Sequence, residues 1–154
     1  MERRLTEEQI TKTILDWLEK HGWEIICYDF PQSGTGVSLH PNEELRTTKN
    51  KGAIIPDIVA IKGTTVVFFE NKDRFVLSDF NKVSDLKTDY DYSSSLEKLL
   101  KGHKVSKIFY GVGLPKTDNV LKRIAENEEK IDFAICVATD RNTSIQFERN
   151  SIFN

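Results

Sequence analysis

Two carboxylates and an amine stand at the ends of two apolar runs in residues 54 to 73, IIPDIVAIKGTTVVFFENKD. Asp57 precedes the first run, and Glu70 and Lys72 close the second, with Asn71 between them. Carboxylates brought together at the edge of a core repel one another and resist leaving water. A divalent cation removes that conflict. A few oxygen ligands, with room left for water and phosphate, are what Mg²⁺ prefers. An ammonium beside such a site could orient or deprotonate a water, or neutralise charge developing on a phosphate.

These residues can act together only if a hairpin brings them together. Side chains alternate along a strand, so Glu70 and Lys72 share a face with Phe68 and Val66, while Asn71 goes with Phe69 and Val67. With Lys62-Gly63 as a two-residue turn, Ile61 is expected to pair with Thr64 and Asp57 to lie opposite Phe68. Glu70 is then the diagonal neighbour of Asp57 on one face, close enough for two carboxylates to converge on an ion. A three-residue loop would split them between faces unless a bulge restored the phase, so the site requires an even register.

The flanking elements must hold this hairpin. Thr6 and Gln9 form a capping-box pattern, and Ile10, Ile14, Trp17 and Leu18 follow at helical spacing, which predicts a helix over 6–21 ended by Gly22. WEIICYDF reads as a strand, followed by a long polar connection over 31–53 of the kind that is more often functional or mobile than idle. After the hairpin, residues 78–102 read as helix with a break at YDYSSS. KIFYGVGL reads as a strand, TDNVLKRIAENEEK as a helix, and FAICVAT and SIQFERN as two strands joined at DRN. The order α-β-β-β-α-β-α-β-β describes one α/β domain with a mixed central sheet.

Composition agrees with an ordinary globular chain. Its 154 residues are enough for one core, and 38% hydrophobic with 30% charged residues is typical of such domains. No apolar run is long enough to cross a bilayer, and MERRLTEEQI lacks the apolar segment of a signal peptide, which predicts a cytoplasmic protein with no membrane association. Cys27 and Cys136 lie within apolar runs and are expected to be buried thiols. A net charge of −2 leaves no global basic surface, so any nucleic-acid partner must be held by local patches.

Pro56-Asp57, twelve intervening residues, then Glu70-x-Lys72 at the end of an apolar strand resembles the PD-(D/E)xK nuclease superfamily, which includes many restriction endonucleases and repair nucleases. The family core is α-β-β-β-α-β, the order read here from residue 6 to about 114. The resemblance implies a restriction endonuclease-like fold over residues 1–154. It also implies metal ligation by Asp57 and Glu70 with the Asn71 carbonyl as a further ligand, and Lys72 as the catalytic lysine. Many members add an acid from the first helix. Glu7 falls in line with Ile10 and Ile14 and faces the sheet, whereas Glu8 points more toward solvent; either is equally a first-turn acid near the helix dipole.

RTTKNK, residues 46–51, carries Arg46, Lys49 and Lys51 without an acid, and either lies along a phosphate backbone or is solvated surface. Lys82 and Lys87 could contact DNA from the second helix, although Asp79, Asp85, Asp89 and Asp91 are interleaved with them. GTGVSL and GVGLPK lack the third glycine and the lysine spacing of phosphate loops and read as turns, and the histidines and cysteines have no zinc spacing. The expectation is a DNA endonuclease dependent on Mg²⁺ or Mn²⁺, first of all a small type II-like restriction enzyme acting as a homodimer. A junction resolvase, a repair nuclease and a non-catalytic binding module on the same fold are the alternatives.

Overall fold

The computed structural model describes residues 5–28, 57–88 and 100–153. Helix α1 (Glu7–Lys20) begins with the expected capping box. The Thr6 hydroxyl accepts from the Gln9 N–H at 3.1 Å, and the Gln9 side chain accepts from the Thr6 N–H at 2.9 Å. Ile10, Ile14, Leu15 and Leu18 recur on one side and are buried. Gly22, at φ +86°, turns the chain out of the helix.

Six strands follow: β1 (Glu24–Tyr28), β2 (Ile58–Lys62), β3 (Thr65–Asn71), β4 (Lys107–Pro115), β5 (Phe133–Val137) and β6 (Thr143–Glu148). They form one sheet in the order of the chain. Strands β1, β2 and β3 are antiparallel neighbours, β3, β4 and β5 are parallel, and β6 returns antiparallel to β5. The crossovers carry α2 (Leu77–Thr88) and α3 (Asp118–Glu126). Because β3, β4 and β5 advance in one direction across the sheet, a single crossover hand sets both helices on the same face. Phe80, Val83, Val120 and Ile124 accordingly pack with Val59, Phe68, Val112 and Leu114. α1 covers the opposite face, where Ile10, Ile14 and Leu18 meet Ile58, Val67, Phe69 and Phe133. The result is an α/β architecture with a mixed six-stranded sheet flanked by helices. Coverage on both faces explains why β2, β3 and β5 read as nearly unbroken apolar runs. Cys27 and Cys136 are buried, as expected.

The hairpin differs from expectation in its turn. Lys62 pairs with Thr65, Ile61 with Val66 and Val59 with Phe68, so the turn residues are Gly63-Thr64 and not Lys62-Gly63. Gly63 has φ +61°, a left-handed value that favours glycine at the first turn position. The pairing shifts by two residues, so the faces are kept while the partners change. Asp57 lies just beyond the last ladder pair, Ile58 with Phe69, instead of opposite Phe68.

Two helix boundaries also differ. Leu100–Gly102 form a turn in which Gly102 has φ +92°, so the expected helix over 78–102 does not reach its end; α2 closes at Thr88, and YDYSSS lies outside the described residues. The helix expected through Lys130 stops at Glu126, where the Asn127 side chain donates to the Arg123 carbonyl at 2.8 Å, and a 3₁₀ turn follows over Glu128–Lys130. The polar connection over 31–53 falls outside the described residues.

Gly111 and Gly113, read as part of a turn in GVGLPK, lie inside β4. Both are sites of close approach. A Cβ on Gly111 would collide with Phe133, and one on Gly113 would collide with Asn71 Oδ1 and Ile14 Cδ1. Gly113 thus lets β3 and α1 settle against β4. Gly113→Ala is expected to destabilise the fold by about 1–3 kcal/mol through overpacking. Urea unfolding of the variant beside wild type measures this; an unchanged midpoint would mean that the contact yields freely.

Candidate functional site

The hairpin places its charged residues at the carboxyl end of β3. In open α/β sheets that edge is where ligands bind, because loops diverge there from a fixed scaffold. Asp57 is held by the backbone: its N–H donates to the Phe69 carbonyl at 2.9 Å, and its Oδ2 accepts from the Asn71 N–H at 2.6 Å. The carboxylate thus takes the position of a ladder acceptor where the β2 backbone stops pairing. In an extended chain the N–H and C=O of one residue point the same way, so the Asn71 carbonyl is directed toward the Asp57 side as well.

The side chain of Asn71 goes to the other face. It is fully buried, with Nδ2 donating to Thr11 Oγ1 on α1 at 3.1 Å and Oδ1 left without a hydrogen-bond partner among the described residues. This amide ties the end of β3 to α1, a role that neither Thr11 nor Gly113 signals by itself in the sequence.

Glu70 follows Val66 and Phe68 on the face covered by α2 and α3. Burial, then the charge of Asp57, then that of Asp79 push its carboxyl up to about 8, against smaller opposing effects of Lys82 and Lys72. Asp57 is therefore near enough for its charge to act on Glu70. Lys72 donates its N–H to the Gly113 carbonyl at 3.0 Å, and its Nζ lies 3.8 Å from Glu7 Oε1. Desolvation lowers the Lys72 pKa, but Glu7 first, then Asp79, Glu70 and Asp57 outweigh it, so the net shift is upward. Lys72 is thereby held as an ammonium, which favours charge neutralisation over proton abstraction.

Glu7 reaches the site from α1 as the counter-ion of Lys72, and Glu7 and Glu8 are both half-buried. Lys82 is on α2, half-exposed, 3.7 Å from Asp79 Oδ1. Lys87 lies in the last turn of α2. Arg46, Lys49 and Lys51 fall outside the described residues.

Asp79 is the residue that sequence reasoning missed. Read as an acid interleaved among lysines, it is 4% exposed and sits next to Phe80, with Oδ2 buried and without a hydrogen-bond partner among the described residues. Its position in the first turn of a helix, one residue before a core phenylalanine, was the available signal.

Among the described residues, no three His, Cys, Asp or Glu side chains are grouped closely enough to hold one ion directly. What is present is a pair of interacting carboxylates, a backbone carbonyl directed to their side and an ammonium. This donor set suits Mg²⁺, which takes one or two carboxylates and keeps several waters. Beside it, at the ends of β3, β4 and β5, a cavity of about 180 Å³ is bordered by Arg74, Phe75, Lys116 and Thr117. Comparison with known proteins gave no match: no family model, no curated protein and no solved structure aligns with the chain.

The position of Glu70 has a pH consequence. Its carboxyl stays protonated in the folded protein up to about 8, while the unfolded chain ionises near 4.5. Between these values the unfolded state has already lost the proton that the folded state keeps, so stability falls as pH rises, and the loss levels off above 8. The metal-free protein should lose on the order of a few kcal/mol across this window, and Glu70→Gln should remove that slope. Thermal melts from pH 5 to 9 measure it; parallel curves for wild type and variant would show that Glu70 is not the group responsible.

Proposed function

We propose that the protein is a Mg²⁺-dependent DNA endonuclease of the PD-(D/E)xK kind, with Mn²⁺ as an alternative cation. The observation that carries this reading is the meeting of Asp57 and Glu70 at the carboxyl end of β3, with Lys72 held charged beside them. A structural ion pair has no use for a second acid that burial and a neighbouring carboxylate push up to about 8. A cation-binding pair does, because the cation offsets both effects at once. The chain order α1-β1-β2-β3-α2-β4 supports the same reading, since it is the order of the superfamily core.

The chain's residues divide the work. Asp57 and Glu70 would hold the cation, with the Asn71 carbonyl as a further oxygen ligand. The bound cation would supply a polarised phosphoryl oxygen and a water of lowered pKa. Lys72 presents its ammonium to the negative charge that develops on the scissile phosphate, and Glu7 orients that ammonium from α1. Asp57 is held firmly for its task by two hydrogen bonds to β3. Arg74 and Lys116, at the rim of the neighbouring cavity, and Lys82 on α2 offer positive charge to the flanking phosphates. A small restriction endonuclease cutting as a homodimer is the most specific form of the proposal, since a duplex break needs two such sites.

Incubation of the purified protein with plasmid DNA is expected to give cleavage with Mg²⁺ or Mn²⁺ and none with a chelator. Asp57→Asn and Glu70→Gln should abolish cleavage. Lys72→Ala should slow it by about 10²–10³-fold, the usual cost of one lost electrostatic donor. Gel sizing reads the outcome: discrete fragments indicate restriction, and nicking or a smear a less specific nuclease. Cleavage by Lys72→Ala at the wild-type rate would remove that lysine from the mechanism.

A further inference from the structure

The nuclease reading leaves Asp79 without a task, although it is the most deeply buried acid near the site. The chain leaves β3 at Asn71 and starts α2 at Leu77, so the first turn of α2 stands at the carboxyl end of β3. α2 packs on the face that carries Val66 and Phe68, the face to which Glu70 belongs by alternation. Asp79 lies in that first turn, beside Phe80, which is in the core of the same face. Its charge is felt by both Glu70 and Lys72.

A capping role would explain a first-turn acid, but it requires hydrogen bonds to free backbone N–H groups. Among the described residues Asp79 Oδ2 is buried and accepts none, and Oδ1 lies 3.7 Å from the Lys82 ammonium. A buried carboxylate oxygen without a donor costs about 1–3 kcal/mol or more. That cost disappears if a donor arrives with a ligand. Direct ligation beside Asp57 and Glu70 is not the arrangement seen, because among the described residues no three His, Cys, Asp or Glu side chains are grouped tightly enough to hold one ion. Mg²⁺, however, gives up its waters reluctantly and presents their O–H groups to acceptors around it.

We propose that Asp79 is a positioning residue of the Asp57 and Glu70 site, whose buried Oδ2 accepts a hydrogen bond from a water of the hydrated cation. This rests on the nuclease reading above and assigns a residue outside the set that reading uses. Lys82 serves as the resident counter-charge at Oδ1 until the cation is bound.

Calorimetric titration of Mg²⁺ into wild type, Asp79→Asn and Asp57→Asn tests the proposal without any cleavage assay. Asp79→Asn should weaken Mg²⁺ binding about tenfold, the lower end of the cost of losing a partner behind the direct ligands, while leaving the metal-free melting temperature unchanged or raised. Asp57→Asn should abolish binding. A purely structural Asp79–Lys82 pair predicts the reverse for Asp79→Asn, a lower melting temperature with unchanged Mg²⁺ affinity, and that result would overturn the inference. Hexaamminecobalt(III), which offers only N–H donors and no open coordination position, gives a second measurement on wild type in case Asp79→Asn does not fold. It should compete with Mg²⁺, and failure to compete would count against an acceptor beyond the direct ligands. If wild type binds no Mg²⁺, or if Asp57→Asn binds it normally, the nuclease reading fails and this inference with it; unchanged binding by Asp79→Asn alone overturns only the inference.

Discussion

The repulsion between Asp57 and Glu70 is the constraint around which the described part of the molecule is organised. Left in water, two carboxylates separate and stay hydrated. Here one is fixed by hydrogen bonds to the neighbouring strand, and the other is set on the face beneath α2, so neither can withdraw. The conflict appears as a carboxyl raised to about 8 by burial and by its neighbour. A fold tolerates such a conflict only where the rest of the structure over-determines it. The over-determination is visible in the two cores that close over both faces of β2 and β3, and in the Asn71 amide that joins the end of β3 to α1.

Two lysines act on this pair. Lys72 is held between Glu7 on one side and the acids of the sheet end on the other, and the sum keeps it charged despite desolvation. Lys82 is half-exposed but paired to the buried Asp79, so taking it away without a replacement cation would leave a buried carboxylate uncompensated.

Much of this was legible in the sequence, and the reasons differ by element. α1 was readable to within one residue at each end because its capping box and apolar spacing are local signals, and the order of the described strands and helices followed from periodicity. The two carboxylates were readable because a charge at the end of a buried strand is an exception that asks for a cause. The hairpin turn was misplaced by one residue because Lys62-Gly63 and Gly63-Thr64 both put glycine in a turn, and only the cross-strand pairing of Lys62 with Thr65 decides between them. The glycines of β4 were partly misread as a turn, since a glycine required by close packing looks in sequence like one required by a bend. Asp79 was missed for a related reason: an acid among lysines looks solvated, and its burial depends on how α2 lies on the sheet. The neighbouring Phe80 was a local hint, but the burial itself is a tertiary fact.

The hydrogen bond from the Asn71 N–H to Asp57 Oδ2, at 2.6 Å, also has a spectroscopic meaning. A backbone amide that donates to a charged carboxylate over so short a distance is strongly polarised, and its proton resonance should lie well downfield of its neighbours. Any cation or proton that draws electron density from that carboxylate will weaken the bond and move the resonance upfield. The Asn71 amide thus reports, from within the strand, on whatever meets the Asp57 carboxylate.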